Sequence, residues 1–179
     1  VHVVYGFMDL KTHCKLAMVV RQEGAKVRRY VHLGTGNYNP ATARLYTDVA
    51  LFTANKLVAD DCTALFNFLT GYSQGHAWKK LVVAPQDLHA KTVELIKEQT
   101  ARAVEGKSAR VFAKLNSLVD GETIEALYQA SQAGVPCDLV IRGICCLRPG
   151  LPGISDNIRV RSIVDRFLEH SRIMVFGDG

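Results

Sequence analysis

A histidine followed two positions later by a cation occurs twice, near the two ends of this chain. His13-Cys14-Lys15 stands before the run LAMVV, and His170-Ser171-Arg172 stands before IMVF. Both runs are apolar and contain β-branched residues, so each predicts a strand. Because alternate side chains of a strand share a face, each motif is expected to hold an imidazole and a cation on one side. A fold that joins two such motifs can build one site from two halves.

A glycine-rich segment downstream of the first motif adds to this pattern. The string GTGN covers residues 34–37. Glycines permit tight turns and a close approach of the backbone to a ligand, and such a loop can donate N–H groups to an anion. The same composition also makes an ordinary polar loop, and a single His-x-Lys match carries little information. The functional interpretation therefore depends on the two motifs and the glycine-rich segment occurring together.

His-x-Lys followed by Gly-Thr-x-Asn resembles the phospholipase D superfamily, in which two such halves form one active site. The chain departs from that pattern at Val20, where the superfamily has an aspartate, and its Gly-Thr loop lies farther downstream. The strings KTHCKL, RRYVHLGTGNYNPATARLYTD, DLVIRGICCLRPG and NIRVRSIVDRFLEHSRI resemble one branch, the long, histidine-phosphorylated bacterial polyphosphate kinases. The resemblance covers nearly the whole chain and is patchy only at residues 53–60 and 72–110.

The resemblance implies an α/β fold of mixed type, phospholipase D-like, in two half-domains that each contain a mixed sheet flanked by helices. Residues 1–78 would form the later part of a first catalytic domain. Residues 79–179 would form a second catalytic domain, incomplete at its C-terminus. The chain starts at Val1 without an initiator Met, so we expect it to be a piece of a longer enzyme. Whether this piece is active by itself stays open.

Catalytic roles also follow from the resemblance. His13 is expected to be the nucleophile that becomes a phosphohistidine, and His170 its acid–base partner, although the sequence alone does not order these two roles. Lys15 and Arg172 are expected to clamp phosphate oxygens, one in each motif. His32 matches a histidine that the family needs, either for the chemistry itself or to support His13.

Further positions are implied around the nucleotide phosphates. Tyr46 and Arg142 match family residues that lie at these phosphates. Asp48 is expected to orient His13 or His32. The remaining candidates support the site or face it: Gly34, Thr35, Asn37, Asn116 and Ser117.

The reaction implied is the reversible transfer of the terminal phosphate of ATP to inorganic polyphosphate, with release of ADP. Mg²⁺ is expected with the nucleotide, but no ligand for it can be assigned, and the full-length protein is expected to be a homo-oligomer. Two alternatives stay open: a phosphodiesterase or nuclease of the phospholipase D superfamily, and a non-catalytic module that binds polyanions. Nucleic acid is a poor candidate partner because aromatic side chains for base stacking are not clustered with the basic residues.

Composition limits the remaining classes. The formal net charge of +5 favours an anionic partner. The five cysteines show no framework of disulfides or zinc ligands, which predicts reduced thiols and a cytoplasmic protein, with Cys14 facing the core. No apolar run is long enough to span a bilayer, although peripheral association with a membrane stays open.

Periodicity and breaker residues give the element order. Helices are predicted over residues 56–70, 86–105 and 121–133, the last opened by Asp120 and closed by Gly134. Residues 72–80 read as a loop that joins the halves. Strands are predicted over 1–5, 15–22, 27–33, 109–115, 137–142, 158–162 and 171–176, with a turn at residues 23–26. The strand–helix–strand order after residue 109 implies at least one parallel crossover.

Overall fold

The computed structural model describes residues 1–73 and 77–177. It divides into two compact units. Unit 1 comprises Val1–Ala43 and Asp48–Val82, and unit 2 comprises Arg44–Thr47 and the chain from Val83 onward. Sheets flanked by helices in both units confirm the mixed α/β class. His76, which the sequence places in the joining loop, lies outside the described residues.

Unit 1 is built on a three-stranded sheet in the order β1 (Lys15–Glu23), β2 (Lys26–Gly34), β4 (Ala50–Thr53). β1 and β2 form a hairpin that pairs Lys15 with Gly34 and Glu23 with Lys26. Gly24 makes the turn at a φ of 59°, which a residue without a Cβ adopts at low cost. The predicted strands 15–22 and 27–33 and their turn are therefore confirmed.

Helix α2 (Lys56–Leu69) supplies the apolar face that this sheet needs. Asn55 caps its start by accepting hydrogen bonds from the backbone N–H groups of Leu57 and Val58. Gly71 follows its end at a φ of 81°, the left-handed conformation typical of a helix stop. Ala59 and Cys62 pack against Val31 of β2 in a small buried cluster. The predicted helix 56–70 is confirmed.

A buried carboxylate fixes the end of unit 1. Asp61 of α2 is 0 % exposed. Its Oδ2 accepts the backbone N–H groups of Lys79, Lys80 and Leu81 at 2.9, 2.7 and 2.9 Å. Three donors converging on one carboxylate oxygen compensate the loss of hydration that burial causes. The part of the joining segment nearest to unit 2 in sequence is thereby attached to α2.

Unit 2 contains a four-stranded sheet in the order β7 (Ile158–Arg161), β6 (Cys137–Ile141), β5 (Val111–Leu115), β9 (Ile173–Phe176). β5, β6 and β7 run parallel, and β9 runs antiparallel to β5. The predicted parallel crossover is present, because helix α4 (Gly121–Gln132) connects β5 to β6.

Helices α3 (Leu88–Val104) and α4 cover this sheet. They contribute Val93, Ile96 and Ala130 to the main core, in contact with Val111 and Leu139 of the sheet. Asp120 caps α4 by accepting a hydrogen bond from the backbone N–H of Thr123. Gly106 and Gly134 follow the two helices at φ values of 70° and 89°, and Gly134 is the stop that the sequence predicts.

Three expectations are wrong. Residues 1–5 form no strand, because they are largely exposed and have no neighbouring strand to pair with among the described residues. Cys14 is exposed instead of facing the core, since β1 starts only at Lys15. The sheet of unit 1 is wholly antiparallel, because β2 pairs antiparallel with both β1 and β4. Only the four-stranded sheet of unit 2 is therefore mixed.

Two short elements complete the chain. Helix α1 (Pro40–Ala43) follows the glycine-rich loop, and Asn39 accepts the backbone N–H groups of Ala41 and Thr42 at its start. β3 (Tyr46–Thr47) pairs in parallel with β8 (Leu168–Glu169) inside unit 2. None of the helices in the described ranges is long and apolar enough to cross a membrane.

Candidate active site

The first motif lies at the start of β1 in unit 1. His13 is exposed and precedes the strand, whereas Lys15 is its first residue. The Lys15 ammonium nitrogen lies 3.2 Å from Nδ1 and 3.1 Å from Nε2 of His13, and it also donates to the His13 carbonyl oxygen at 2.7 Å. The ammonium therefore lies close to both ring nitrogens at once. An imidazole beside a cation suits attack on a phosphorus centre that carries anionic oxygens.

His32 lies in β2 and contacts two aromatic rings. Its Nδ1 is 2.6 Å from the hydroxyl of Tyr38, and its ring lies 4.5 Å from the ring of Phe52, centroid to centroid. β2 and β4 place His32 opposite Phe52 in register. Burial raises the pKa of the Tyr38 hydroxyl above its ordinary value, and the neighbouring Cys14 adds to this rise. Tyr38 thus remains a protonated partner for the imidazole at neutral pH.

The glycine-rich loop is held by Asp48. The Thr35 hydroxyl donates to Asp48 Oδ1 at 2.7 Å, and the Thr35 backbone N–H donates to the Val49 carbonyl at 3.0 Å. A Cβ on Gly36 would lie 2.8 Å from Asp48 Oδ2, and a Cβ on Gly34 would lie 3.2 Å from His32 Cε1. A Cβ at position 36 would therefore force Asp48 to move, whereas one at position 34 would crowd the His32 ring. Asn37 lies in the same loop, and its carbonyl oxygen accepts the backbone N–H of Asn39 at 2.8 Å.

The second motif lies in unit 2, between β8 and β9. His170 is 8 % exposed, and its ring packs 4.8 Å from the ring of Tyr46, centroid to centroid. The Thr47 carbonyl oxygen accepts the backbone N–H groups of His170 and Ser171 at 3.2 and 3.0 Å. The pairing of β3 with β8 thus brings Tyr46 and His170, two of the predicted residues, into contact.

Arg142 and Lys114 hold the residues on either side of His170. Arg142, which follows β6, donates from Nη1 to the Glu169 carbonyl oxygen at 3.1 Å. Lys114 of β5 forms an ion pair with the Glu169 carboxylate and donates to the Ser171 hydroxyl at 2.6 Å. The hydrogen bond from Lys114 lowers the pKa of Glu169 below its ordinary value, so this carboxyl is ionised at neutral pH.

A cleft of about 400 Å³ opens beside these groups in unit 2. Tyr46 and Arg142 line it together with Leu45 and residues 163–169. Its lining includes two cations, Arg142 and Arg166, and two carboxylates, Asp165 and Glu169. Glu169 is neutralised by Lys114, so cationic groups remain to attract an anion into this cleft.

The second motif does not have the geometry expected of a strand. Residues 170–172 lie outside any strand, and His170 is buried whereas Arg172 is exposed. The expectation that alternation within a strand places the histidine and the cation on one face therefore fails here. Asn116 and Ser117 follow β5, where the Asn116 carbonyl oxygen accepts the backbone N–H of Gly143 at 2.8 Å. This bond places them near the chain that follows Arg142.

Other reactive groups do not extend the site. Burial raises the pKa of the Cys62 thiol to about 11 and that of Cys137 to about 12, so neither supplies a thiolate nucleophile at neutral pH. Within residues 1–73 and 77–177, no group of three or more His, Cys, Asp or Glu side chains is arranged to hold a metal ion. Those residues therefore contain no ready-made protein cage for a metal ion.

Sequence reasoning missed several contacts of the candidate site. Lys114 and Glu169 meet from distant parts of the chain, and no spacing pattern signals their pairing. The contact of Phe52 with the His32 ring has no sequence signal either. Tyr38 could have been found, because it follows the GTGN loop and carries a hydroxyl that can bond to a histidine.

Two protein-family models match the chain. The model described as polyphosphate kinase C-terminal domain 1 matches residues 1–75. The model described as polyphosphate kinase C-terminal domain 2 matches residues 81–179. The two matches follow one another with a short interval between them.

Individual relatives agree with these models. A polyphosphate kinase of Synechocystis is 56 % identical over 179 residues, or 100 % of this chain and 25 % of that protein. One of Streptomyces coelicolor is 54 % identical over 99 % of this chain and 24 % of its own length. The crystal structure of polyphosphate kinase from Porphyromonas gingivalis matches with a TM-score of 0.86 at 40 % identity, over 97 % of this chain and 29 % of that one. The chain thus spans about a quarter of the length of the curated relatives it matches.

Proposed function

The chain belongs to the polyphosphate kinase family, and on that premise we propose that the full-length protein transfers the terminal phosphate of ATP to inorganic polyphosphate. The observation that carries this proposal is the identity of 56 % to a polyphosphate kinase over the whole chain. Both His-x-cation motifs lie in the matched residues. The transfer is reversible in principle, since ADP can also attack the P–N bond of a phosphohistidine and take the phosphate back.

The proposed reaction has two steps. A ring nitrogen of His13 attacks the γ-phosphorus of ATP, a P–N bond forms, and the bond to the β,γ-bridging oxygen breaks as ADP leaves. A terminal oxygen of polyphosphate then attacks the phosphohistidine, which restores the imidazole and lengthens the chain by one phosphate. His170 is the proposed acid–base partner, because imidazoles exchange protons near neutral pH.

The cations have a separate role in this proposal. Phosphoryl transfer depends mainly on positioning and on stabilising charge at the phosphoryl oxygens. Lys15 beside His13, Arg142 in the cleft and the exposed Arg172 are the proposed phosphate contacts. A phosphate that binds Lys15 draws the ammonium away from the imidazole and leaves the ring lone pair available. Tyr46, whose ring packs against that of His170, is proposed to lie at the nucleotide phosphates.

Support for the first half-site is assigned to the β2 strand and the glycine-rich loop. We propose that His32, bonded to Tyr38, supports the catalytic chemistry. Asp48 fixes the loop through Thr35, so that Gly34 and Asn37 can offer backbone groups to an anion.

We propose that Mg²⁺ binds together with ATP, through the nucleotide phosphates. The described residues offer no metal-holding cluster, so no step is assigned to a protein-bound ion. Five free cysteines support a proposed cytoplasmic location. A homo-oligomer is proposed for the full-length protein, and sedimentation or size-exclusion chromatography with light scattering tests it.

Incubation of the full-length protein with ATP labelled at the γ-phosphate tests the function. The kinase predicts an acid-labile, base-stable label on the protein and a labelled polyphosphate product. Cleavage of a phosphodiester substrate without polyphosphate synthesis would instead identify a hydrolase of the phospholipase D type. Binding of polyphosphate with neither reaction would identify a non-catalytic polyanion-binding protein.

A further inference from the structure

Lys114 lies in β5, an inner strand of the four-stranded sheet, and its side chain contacts the segment that carries His170. Its ammonium forms an ion pair with the Glu169 carboxylate and donates to the Ser171 hydroxyl at 2.6 Å. These two partners are the residues immediately before and after His170. One cation therefore holds both neighbours of the histidine.

The three groups are shielded from water. The Lys114 and Glu169 side chains are 15 % and 18 % exposed, and Ser171 is 5 % exposed. Interactions between charges strengthen as water is excluded, and ionised hydrogen bonds are stronger and more directional than neutral ones. The contact is thus suited to fix geometry, unlike an exposed pair such as Lys107 with Glu105, whose side chains are 60 % and 57 % exposed.

The remaining contacts of this segment act mostly on its backbone. Thr47 accepts the backbone N–H groups of His170 and Ser171, and Arg142 donates to the Glu169 carbonyl oxygen. Lys114 thus holds the side chains of Glu169 and Ser171 against β5, whereas the imidazole between them packs against the ring of Tyr46.

We propose that Lys114 is a positioning residue for His170 and that it acts through Glu169 and Ser171. This rests on the proposed function, since it assigns Lys114 a role in the same site. Without Lys114, the segment would lose the side-chain contacts that anchor it to β5. The competing role for Lys114 is a direct contact to a substrate phosphate.

Steady-state kinetics of the full-length protein separate the two roles. For Lys114→Met we expect kcat for polyphosphate synthesis to fall by about tenfold to a hundredfold, the cost of misplacing a catalytic group, with KM for ATP nearly unchanged. Glu169→Gln should show a similar loss, and the double variant should be no worse than Lys114→Met, because both changes remove one interaction. Lys114→Arg, which keeps the charge and the donors, should recover most of kcat.

A direct phosphate contact gives the opposite pattern. KM for ATP or polyphosphate would rise in Lys114→Met, Glu169→Gln would be neutral or would lower KM, and the two effects would add. That result would overturn the proposal. Lys107→Met is the matched control, because it breaks an exposed lysine–glutamate pair of the same unit.

A second readout does not depend on activity. Diethyl pyrocarbonate modifies accessible imidazoles, and mass spectrometry of peptides gives a rate for each histidine. In Lys114→Met and in Glu169→Gln, we expect His170 to react several times faster than in the unmodified sequence, because the segment opens locally. The half-exposed His89 should keep its rate in every variant.

Failure of the proposed function and failure of the positioning role give different results. If the protein without substitutions neither becomes labelled nor makes polyphosphate, the proposed function is refuted, and the rate of His170 modification still decides the role of Lys114. An active protein in which Lys114→Met matches Lys107→Met in kcat and in His170 reactivity refutes the positioning role alone. Global unfolding of Lys114→Met would appear as a faster reaction at His89 as well, and Glu169→Gln then carries the test.

Discussion

The two His-x-cation motifs are similar in sequence and differ in how the fold holds them. His13 is exposed and contacts the lysine of its own motif. His170 is buried, and groups from β3, β5 and the end of β6 hold its segment. The first half is assembled from neighbouring residues and the second from distant ones. Similar motifs therefore do not imply similar sites, and an accessible imidazole suits covalent phosphorylation while a fixed one suits proton exchange.

The largest expected effect tests this division of roles. His13→Ala in the full-length protein should abolish covalent labelling from γ-labelled ATP, because the nitrogen that bonds to phosphorus is removed. His170→Ala should block polyphosphate synthesis. Label retained in His13→Ala and lost in His170→Ala would reverse the assignment and break the comparison. His89→Gln is the control, since His89 lies on α3 and contacts Asp120, outside the candidate site.

The next largest effect concerns the distant contacts of the second half. Arg142→Lys keeps the charge but loses the planar fork that can bind two phosphate oxygens. A lost charge-assisted hydrogen bond is worth about 1.5–3 kcal/mol, or roughly 10- to 150-fold in ATP affinity or turnover. Binding and rate measurements on the full-length protein, with circular dichroism to check the fold, provide the test. Unaltered kinetics, as expected for Arg102→Lys on α3, would remove Arg142 from the site.

A smaller effect is expected where unit 1 ends. Asp61→Asn replaces the carboxylate that accepts three backbone N–H groups from residues 79–81. Loss of charge should ease local opening of this segment by about 1.5 kcal/mol, or roughly tenfold. Peptide-resolved hydrogen exchange measures this directly, with the exposed Asp9→Asn as the control. Unchanged protection of residues 79–81 would show that neighbouring packing alone fixes the segment.

The smallest effect is a difference between the units in acid. Hydrogen bonds from Lys56 and Arg29 lower the pKa of Asp60 in unit 1 from 3.8 to about 2. Hydrogen bonds from Thr123 and His89 lower that of Asp120 in unit 2 from 3.8 to about 2. A carboxyl whose pKa is lowered on folding stabilises the fold above its ordinary pKa, and this stabilisation is lost as pH falls through about 2.

Single substitutions should assign this acid response to each unit. Asp60→Asn should reduce the loss of protection between pH 4 and 2 in α2 only, and Asp120→Asn in α4 only. Asparagine can still cap α4, so Asp120→Asn isolates the charge from the cap. Hydrogen exchange corrected for the intrinsic effect of pH provides the measurement. An equal response of both helices to either change would contradict the independence of the two contributions.

Much of the fold is encoded over short stretches of sequence. The hairpin around Gly24, helix α2 with its Asn55 cap, and helix α4 between Asp120 and Gly134 follow from periodicity and turn chemistry. Residues 1–5 show the limit of this reasoning. Their apolar run is typical of a strand, but a strand needs a neighbour to satisfy its backbone groups, and local composition does not supply one.

The contacts of the candidate site divide in the same way, into local ones that the sequence indicates and distant ones that it does not. The proximity of His13 to Lys15 and the need for glycine at position 36 follow from nearby residues. The contact of Tyr46 with His170 and the pairing of Lys114 with Glu169 depend on which strands become neighbours. Single-sequence patterns specify faces and ends of elements, whereas strand order is decided by the global balance of burial and chain connectivity.

The short strand β3 has a consequence for how such proteins can be divided and recombined. Residues 44–47 lie within the span of the first family domain, yet they belong structurally to unit 2, where they pair with β8. A gene split between residues 75 and 81 would separate Tyr46 from His170. An exchange of one half with that of a distant relative must therefore keep residues 44–47 compatible with β8, although the two stretches come from different halves of the chain.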